Sequence, residues 1–145
     1  MKFVLNQEDV KSLSEDQQSA IFDALVAAAW ADGNVSQAEM ARFEAEVVKV
    51  PWGKDEQTLI KMVHASRDRV GQLKDKDGVL AFIKGIADRV TAPAIREKVL
   101  YMMGVIMFSD RQLSDAEKNV VGAFAQAFGI SKERFELIGA EVRGN

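Results

Sequence analysis

The sequence predicts an all-α, single-domain bundle of about seven helices, with two pseudo-symmetric helix-turn-helix units around two central apolar helices. Three observations carry this. Apolar residues recur at spacings of three and four, with no strand-like alternation between turn signals. Residues 24–30 and 99–108 are apolar on nearly every side, and helices of that kind must be enclosed by others. A short acidic motif occurs twice at a constant offset of 78 residues, the signature of an internal repeat.

The elements follow in chain order. The segment 1–13, before the first of these helices, is expected to be a flexible N-terminal segment of the single 1–145 domain. The first helix, 15–31, carries Ile21, Phe22, Leu25, Val26 and Ala29, and Ser14 with Gln17 forms a capping box at its start. Asp32-Gly33 ends it, because glycine tolerates a left-handed cap. The second helix, 36–50, shows Met40, Phe43 and Val47 on one face and stops at Pro51-Trp52-Gly53. The third, 55–69, and the fourth, 77–90, carry Leu59, Ile60 and Val63, then Val79, Leu80, Ile83 and Ile86. Pro93 suits the first turn of the fifth helix, 93–108. The sixth, 114–128, shows Val120, Val121, Phe124 and Phe128. Gly129 closes it, and Ser131 caps the seventh, 131–142, which carries Phe135, Ile138 and Val142.

Composition excludes many chemistries. The chain has 145 residues, enough for one domain with a sizeable core. With no cysteine there is no disulfide, thiolate metal site, iron–sulfur cluster or cysteine nucleophile, and a single histidine rules out multi-histidine centres. The net charge of −3 offers no drive toward nucleic acid. Residues 1–10 lack the apolar run of a signal peptide, and 99–108 is about half the length of a spanning helix. These features point to a cytoplasmic protein without a transmembrane segment. No Walker loop, dinucleotide fingerprint or serine triad is present, and no enzymatic activity is expected.

The repeat carries the sharpest motif. Ala31-Asp32-Gly33-Asn34-Val35-Ser36-Gln37-Ala38-Glu39 matches Ser109-Asp110-Arg111-Gln112-Leu113-Ser114-Asp115-Ala116-Glu117 in its Asp, aliphatic, Ser, Ala and Glu positions. The helices before them match as well: Ile21 with Val99, Phe22 with Leu100, Leu25 with Met103, Trp30 with Phe108. Two readings use the same atoms. Ser36 with Glu39 and Ser114 with Glu117 are capping boxes, which alone explains the serine and the glutamate. Each motif also resembles the second half of a calcium loop, in which an Asp and a Glu seven residues later ligate the ion. One half-loop holds too few oxygens for a hard cation. Two brought together supply Asp32, Glu39, Asp110 and Glu117, a set suited to Ca²⁺, Mg²⁺ or Mn²⁺.

These paired motifs, in an all-helical chain of this length, resemble the tellurite-resistance TerB family. The junction Ala127-Phe128-Gly129-Ile130-Ser131 is similar as well, and the likeness spans residues 14–138. The resemblance implies a seven-helix fold, a role in bacterial stress and tellurium-oxyanion resistance, and acidic metal ligands, which by position are Asp32, Glu39, Asp110 and Glu117. Arg111 stands where the family usually has glycine, placing a cation beside the second motif.

Charge is unevenly spread along the chain. Residues 1–39 hold 2 bases and 7 acids, and residues 49–98 hold 11 bases and 7 acids. Such polarity is either a scatter of surface charges without a role or a face that suits an acidic protein partner or an anionic surface, at the inner membrane for a peripheral protein. His64 reads as a lone surface histidine, Trp52 as a lid over the core, Asp75-Lys76-Asp77-Gly78 as a turn, and Met102, Met103 and Met107 as core.

Overall fold

The computed structural model describes residues 3–31, 35, 37–108 and 113–144. Among these it contains eight helices and no strand: α1 Gln7–Lys11, α2 Glu15–Ala29, α3 Gln37–Lys49, α4 Glu56–Gly71, α5 Lys76–Arg89, α6 Pro93–Met107, α7 Asp115–Ala127 and α8 Lys132–Arg143. The all-α architecture is the expected one, with one helix more.

Local chemistry sets the ends. Ser14, Asp55, Asp75, Ser114 and Ser131 each accept a backbone N–H from the third residue of the helix they start. Pro93 occupies the first turn of α6, where its missing N–H costs nothing. Gly129 takes φ +67° after α7, the Ile130 N–H reaches the Ala125 carbonyl at 2.9 Å, and the Gly129 N–H reaches Gln126 at 3.1 Å. This is a Schellman closure, which needs glycine. Asp75 corrects one expectation. It is the N-cap of α5, and Lys76, Asp77 and Gly78 form the first helical turn rather than a free turn.

α2 and α6 form the hub. α2 packs on α6 and is covered by α4 and α5, while α6 is covered by α3, α7 and α8. Ile21, Phe22 and Leu25 are fully enclosed, as are their counterparts Val99, Leu100 and Met103. Met102 and Met107 are buried with them, as core residues. Trp52 is a lid: its ring lies 4.8 Å from Phe22 and its indole N–H donates to the Val47 carbonyl at 3.0 Å.

Residues 3–13 overturn the expectation of a flexible leader. Phe3, Leu5 and Val10 are buried, Phe3 stacks on Tyr101 at 5.7 Å, and Lys98 holds Asp9 at 2.6 Å. α1 is only five residues long, too short for a periodicity to show. Its one readable sign was the reciprocal cap between Asn6 and Asp9.

The repeat extends to three helices per unit. α3 and α7 start 78 residues apart, and α4 and α8 start 76 apart, at Glu56 and Lys132. Each unit is thus a triplet, α2–α3–α4 and α6–α7–α8, and the second has a linker two residues shorter before its last helix.

Candidate functional site

The two acidic motifs fall at equivalent corners. The first lies between the end of α2 at Ala29 and the start of α3 at Gln37, and the second between Met107 and Asp115. Asp32, Ser36, Asp110 and Arg111 lie outside the described residues, as does the expected Asp32-Gly33 break. Glu39 and Glu117 are described. Each sits in the first turn of its helix, and each is only 5% exposed.

The second corner shows how such a glutamate is held. The Glu117 Oε1 accepts the Ser114 N–H at 2.9 Å, and the Ser114 Oγ accepts the Glu117 N–H at 3.1 Å. The capping box read from the sequence is therefore present there. The same position in the other two boxes is occupied by Asp9 and Gln17, which are only half-buried. Glu39 and Glu117 are thus more deeply buried than Asp9 and Gln17. α3 and α7, which carry these two glutamates, both pack against α6.

Among the described residues no group of three or more histidine, cysteine, aspartate or glutamate side chains is placed to hold a metal. The donors that are described, two buried carboxylates, suit a hard cation and not a thiolate- or imidazole-seeking one.

Sequence reasoning missed the most elaborate polar cluster. Asp23, fully buried in α2, accepts hydrogen bonds at Oδ1 from Ser66 Oγ at 2.7 Å and from Arg69 Nε and Nη2 at 2.9 and 2.7 Å. Its Oδ2 takes no hydrogen bond and faces the Arg89 Nη2 at 3.5 Å. Arg69 also reaches Ser19, and Arg89 reaches Asp16. The legible signal was an aspartate inside the apolar run Ile21-Phe22-Asp23-Ala24-Leu25, since a buried charge demands partners. The two arginines match the two carboxylates, so this cluster fastens α2, α4 and α5.

A second arginine fastener was equally unforeseen. Arg96 donates to the Val90 and Ala87 carbonyls, each at 2.6 Å, and to the Phe128 carbonyl at 3.1 Å, with its guanidinium over the Phe128 ring. It joins the C-terminal ends of α5 and α7. His64 is exposed on α4, as expected of a lone surface histidine.

Two helical triplets sharing a hub, each with a buried glutamate in the first turn of its second helix, define a small two-repeat helical module. A family model described as Tellurite resistance protein TerB matches residues 3–140, nearly the whole chain, and the protein belongs to that family. No curated protein and no solved structure matches it. It is thus a tellurite-resistance-associated helical module, and among the described residues no helix is long and apolar enough to cross a membrane.

Proposed function

We propose that this chain is a non-enzymatic stress module that holds a hard divalent cation, Ca²⁺, Mg²⁺ or Mn²⁺, at its acidic corners through Asp32, Glu39, Asp110 and Glu117. The observation that carries the reading is the equal, deep burial of Glu39 and Glu117 at positions 78 residues apart. Carboxylate oxygens at matching positions are the donors that a hard cation takes. A bound cation would neutralise the carboxylates and clamp the two corners. The chain's own part is to hold both glutamates in first helical turns, where the helix dipole favours negative charge. The same reading places the module in the cytoplasm, working through protein partners, some of them at the inner membrane. The polarised charge supports this.

Thermal melting tests the proposal. With Ca²⁺, Mg²⁺ or Mn²⁺ at a hundred times its dissociation constant, a ligand of the native state alone adds about 2.7 kcal/mol. For a domain of this size that raises the midpoint by about 5–10 °C over the chelated protein. Glu39→Gln with Glu117→Gln should abolish the rise and leave the chelated midpoint nearly unchanged, because glutamine also completes a capping box. No shift with any of the three ions at millimolar concentration would overturn it. That result would favour a second reading, a metal-free interaction scaffold whose acidic corners are only helix caps. The reciprocal Ser114–Glu117 box supports this alternative.

A further inference from the structure

α3 and α4 both flank α2 but leave a groove of about 800 Å³ between them. Trp30 and Phe43, packed edge to face at 5.9 Å, lie in it, and Met40, Val47, Leu59 and Val63 add apolar lining. Its lips are unusual. Val48 on α3 is 72% exposed and Ile60 on α4 is 49% exposed. Facing apolar lips over an apolar floor are not surface scatter; they mark a binding groove. The corresponding cavity of the second triplet, lined from α6, α7 and α8, is only about 140 Å³.

The charges along the groove are ordered. At one end the Arg67 guanidinium stands 5.3 Å above the Trp30 ring. Glu56 lies eleven residues earlier on the same helix, about 16 Å along its axis. Glu44 is exposed on the α3 lip, and Lys54 is already neutralised by Glu15 at 2.9 Å. The groove therefore presents a cation at one end and carboxylates along its middle and far end.

We infer that this groove docks an amphipathic helix of a partner protein, with apolar anchors at i, i+3 or i+4, and i+7. The partner sets an acidic residue against Arg67 and basic residues against Glu44 and Glu56. Three turns of helix match the groove's length, and this spacing of anchors is how helices enter apolar grooves.

The test uses designed helical peptides with one leucine face and three end patterns: acidic at one end and basic at the other, both acidic, or both basic. Both tryptophans of the chain, Trp30 and Trp52, line the groove, so their fluorescence reports occupancy. All titrations contain chelator, so the outcome is independent of any cation at the acidic corners. The mixed-charge peptide should shift the emission and bind about three- to fivefold tighter at low salt than either uniform peptide. Val48→Asp or Ile60→Asp should weaken it about tenfold or more; both sites are already water-exposed, so folding is spared. No fluorescence response, or equal affinity for all three peptides, would overturn the inference. So would a concentration-dependent dimer abolished by Val48→Asp, which would make a second copy the occupant.

Discussion

The two triplets follow one pattern but solve the same packing problem differently. Position 23 in the first hub helix corresponds to position 101 in the second. Asp23 is fully buried and tied to Ser66, Arg69 and Arg89, whereas Tyr101 is buried against the Phe3 ring. Val26 corresponds to Gly104, and by the later offset Ser66 corresponds to Val142. In the second triplet the large residue is on the outer helix and the hole is on the hub. A Cβ on Gly104 would lie 2.8 Å from Val142 Cγ2, so α8 sits as close to α6 as a glycine permits. In the first triplet the hub carries the larger side chain and the outer helix is held by charge. The second triplet is thus closed by apolar contact around a smaller cavity, and the first adds discrete polar fasteners and is left more open between α3 and α4. A shared pattern does not impose shared interior chemistry, and the unit with the looser seam leaves apolar side chains exposed along its groove.

The largest way to break the comparison is Arg69→Ala. It removes both guanidinium hydrogen bonds from a fully buried carboxylate, leaving Ser66 and the more distant Arg89. Breaking one side of a buried pair costs about 3–5 kcal/mol. Because Arg69 is partly exposed, a loss of about 3 kcal/mol in denaturant unfolding is expected. Tyr101→Phe, at the equivalent place in the second triplet, should cost much less. A smaller effect is expected from Gly104→Ala. Overpacking costs roughly 1–3 kcal/mol and the gain in helix propensity returns about 1, so a net loss of about 1 kcal/mol should be measured. A stabilised Gly104→Ala protein would show that α8 is not pressed against α6.

The smallest effect concerns acid. Burial pushes the Asp9 carboxyl up, but the hydrogen bond and charge of Lys98, with the Asn6 N–H, outweigh it and hold the group below the usual carboxylate range. A group depressed in the folded state binds fewer protons there than when unfolded. Its stabilisation is therefore present above the unfolded value, near 3.9, and is lost as pH falls through the folded one. Asp9→Asn should flatten the acid limb of the stability curve by less than about 1 kcal/mol, as followed by urea midpoints between pH 5 and 2. An unchanged slope would show that the strap to α6 carries no electrostatic weight. Tyr101 titrates the other way. Burial, then the charges of Glu46 and Glu141, push its hydroxyl above 10, so its contribution persists below 10 and fades as pH rises through the folded value.

What was legible in the sequence was what depends on neighbours in the chain. The hub helices were visible because enclosure leaves no polar face, and the caps at Ser14, Ser114 and Ser131 because a side chain and its backbone partner lie three residues apart. Glu39 and Glu117 were legible as a repeat, though their burial was not. Arg69, Arg89 and Arg96 escaped because their partners lie far along the chain: Arg69 is 46 residues from Asp23, and Arg96 is 32 from the Phe128 carbonyl. Nothing in a surface arginine's local context reveals which carboxylate or carbonyl it will meet. The groove escaped for a related reason. Val48 and Ile60 continue ordinary apolar patterns, and only the spacing of α3 from α4 leaves them facing water.

The guanidinium of Arg96 bears on how the molecule comes apart. It grips the last carbonyls of α5 and the Phe128 carbonyl at the close of α7, so α5, α6 and α7 cannot separate without releasing that grip. Internal duplication usually suggests halves able to melt in turn; here Arg96 ties α5, which packs on α2 of the first triplet, to α6 and α7 of the second, so the halves should unfold together.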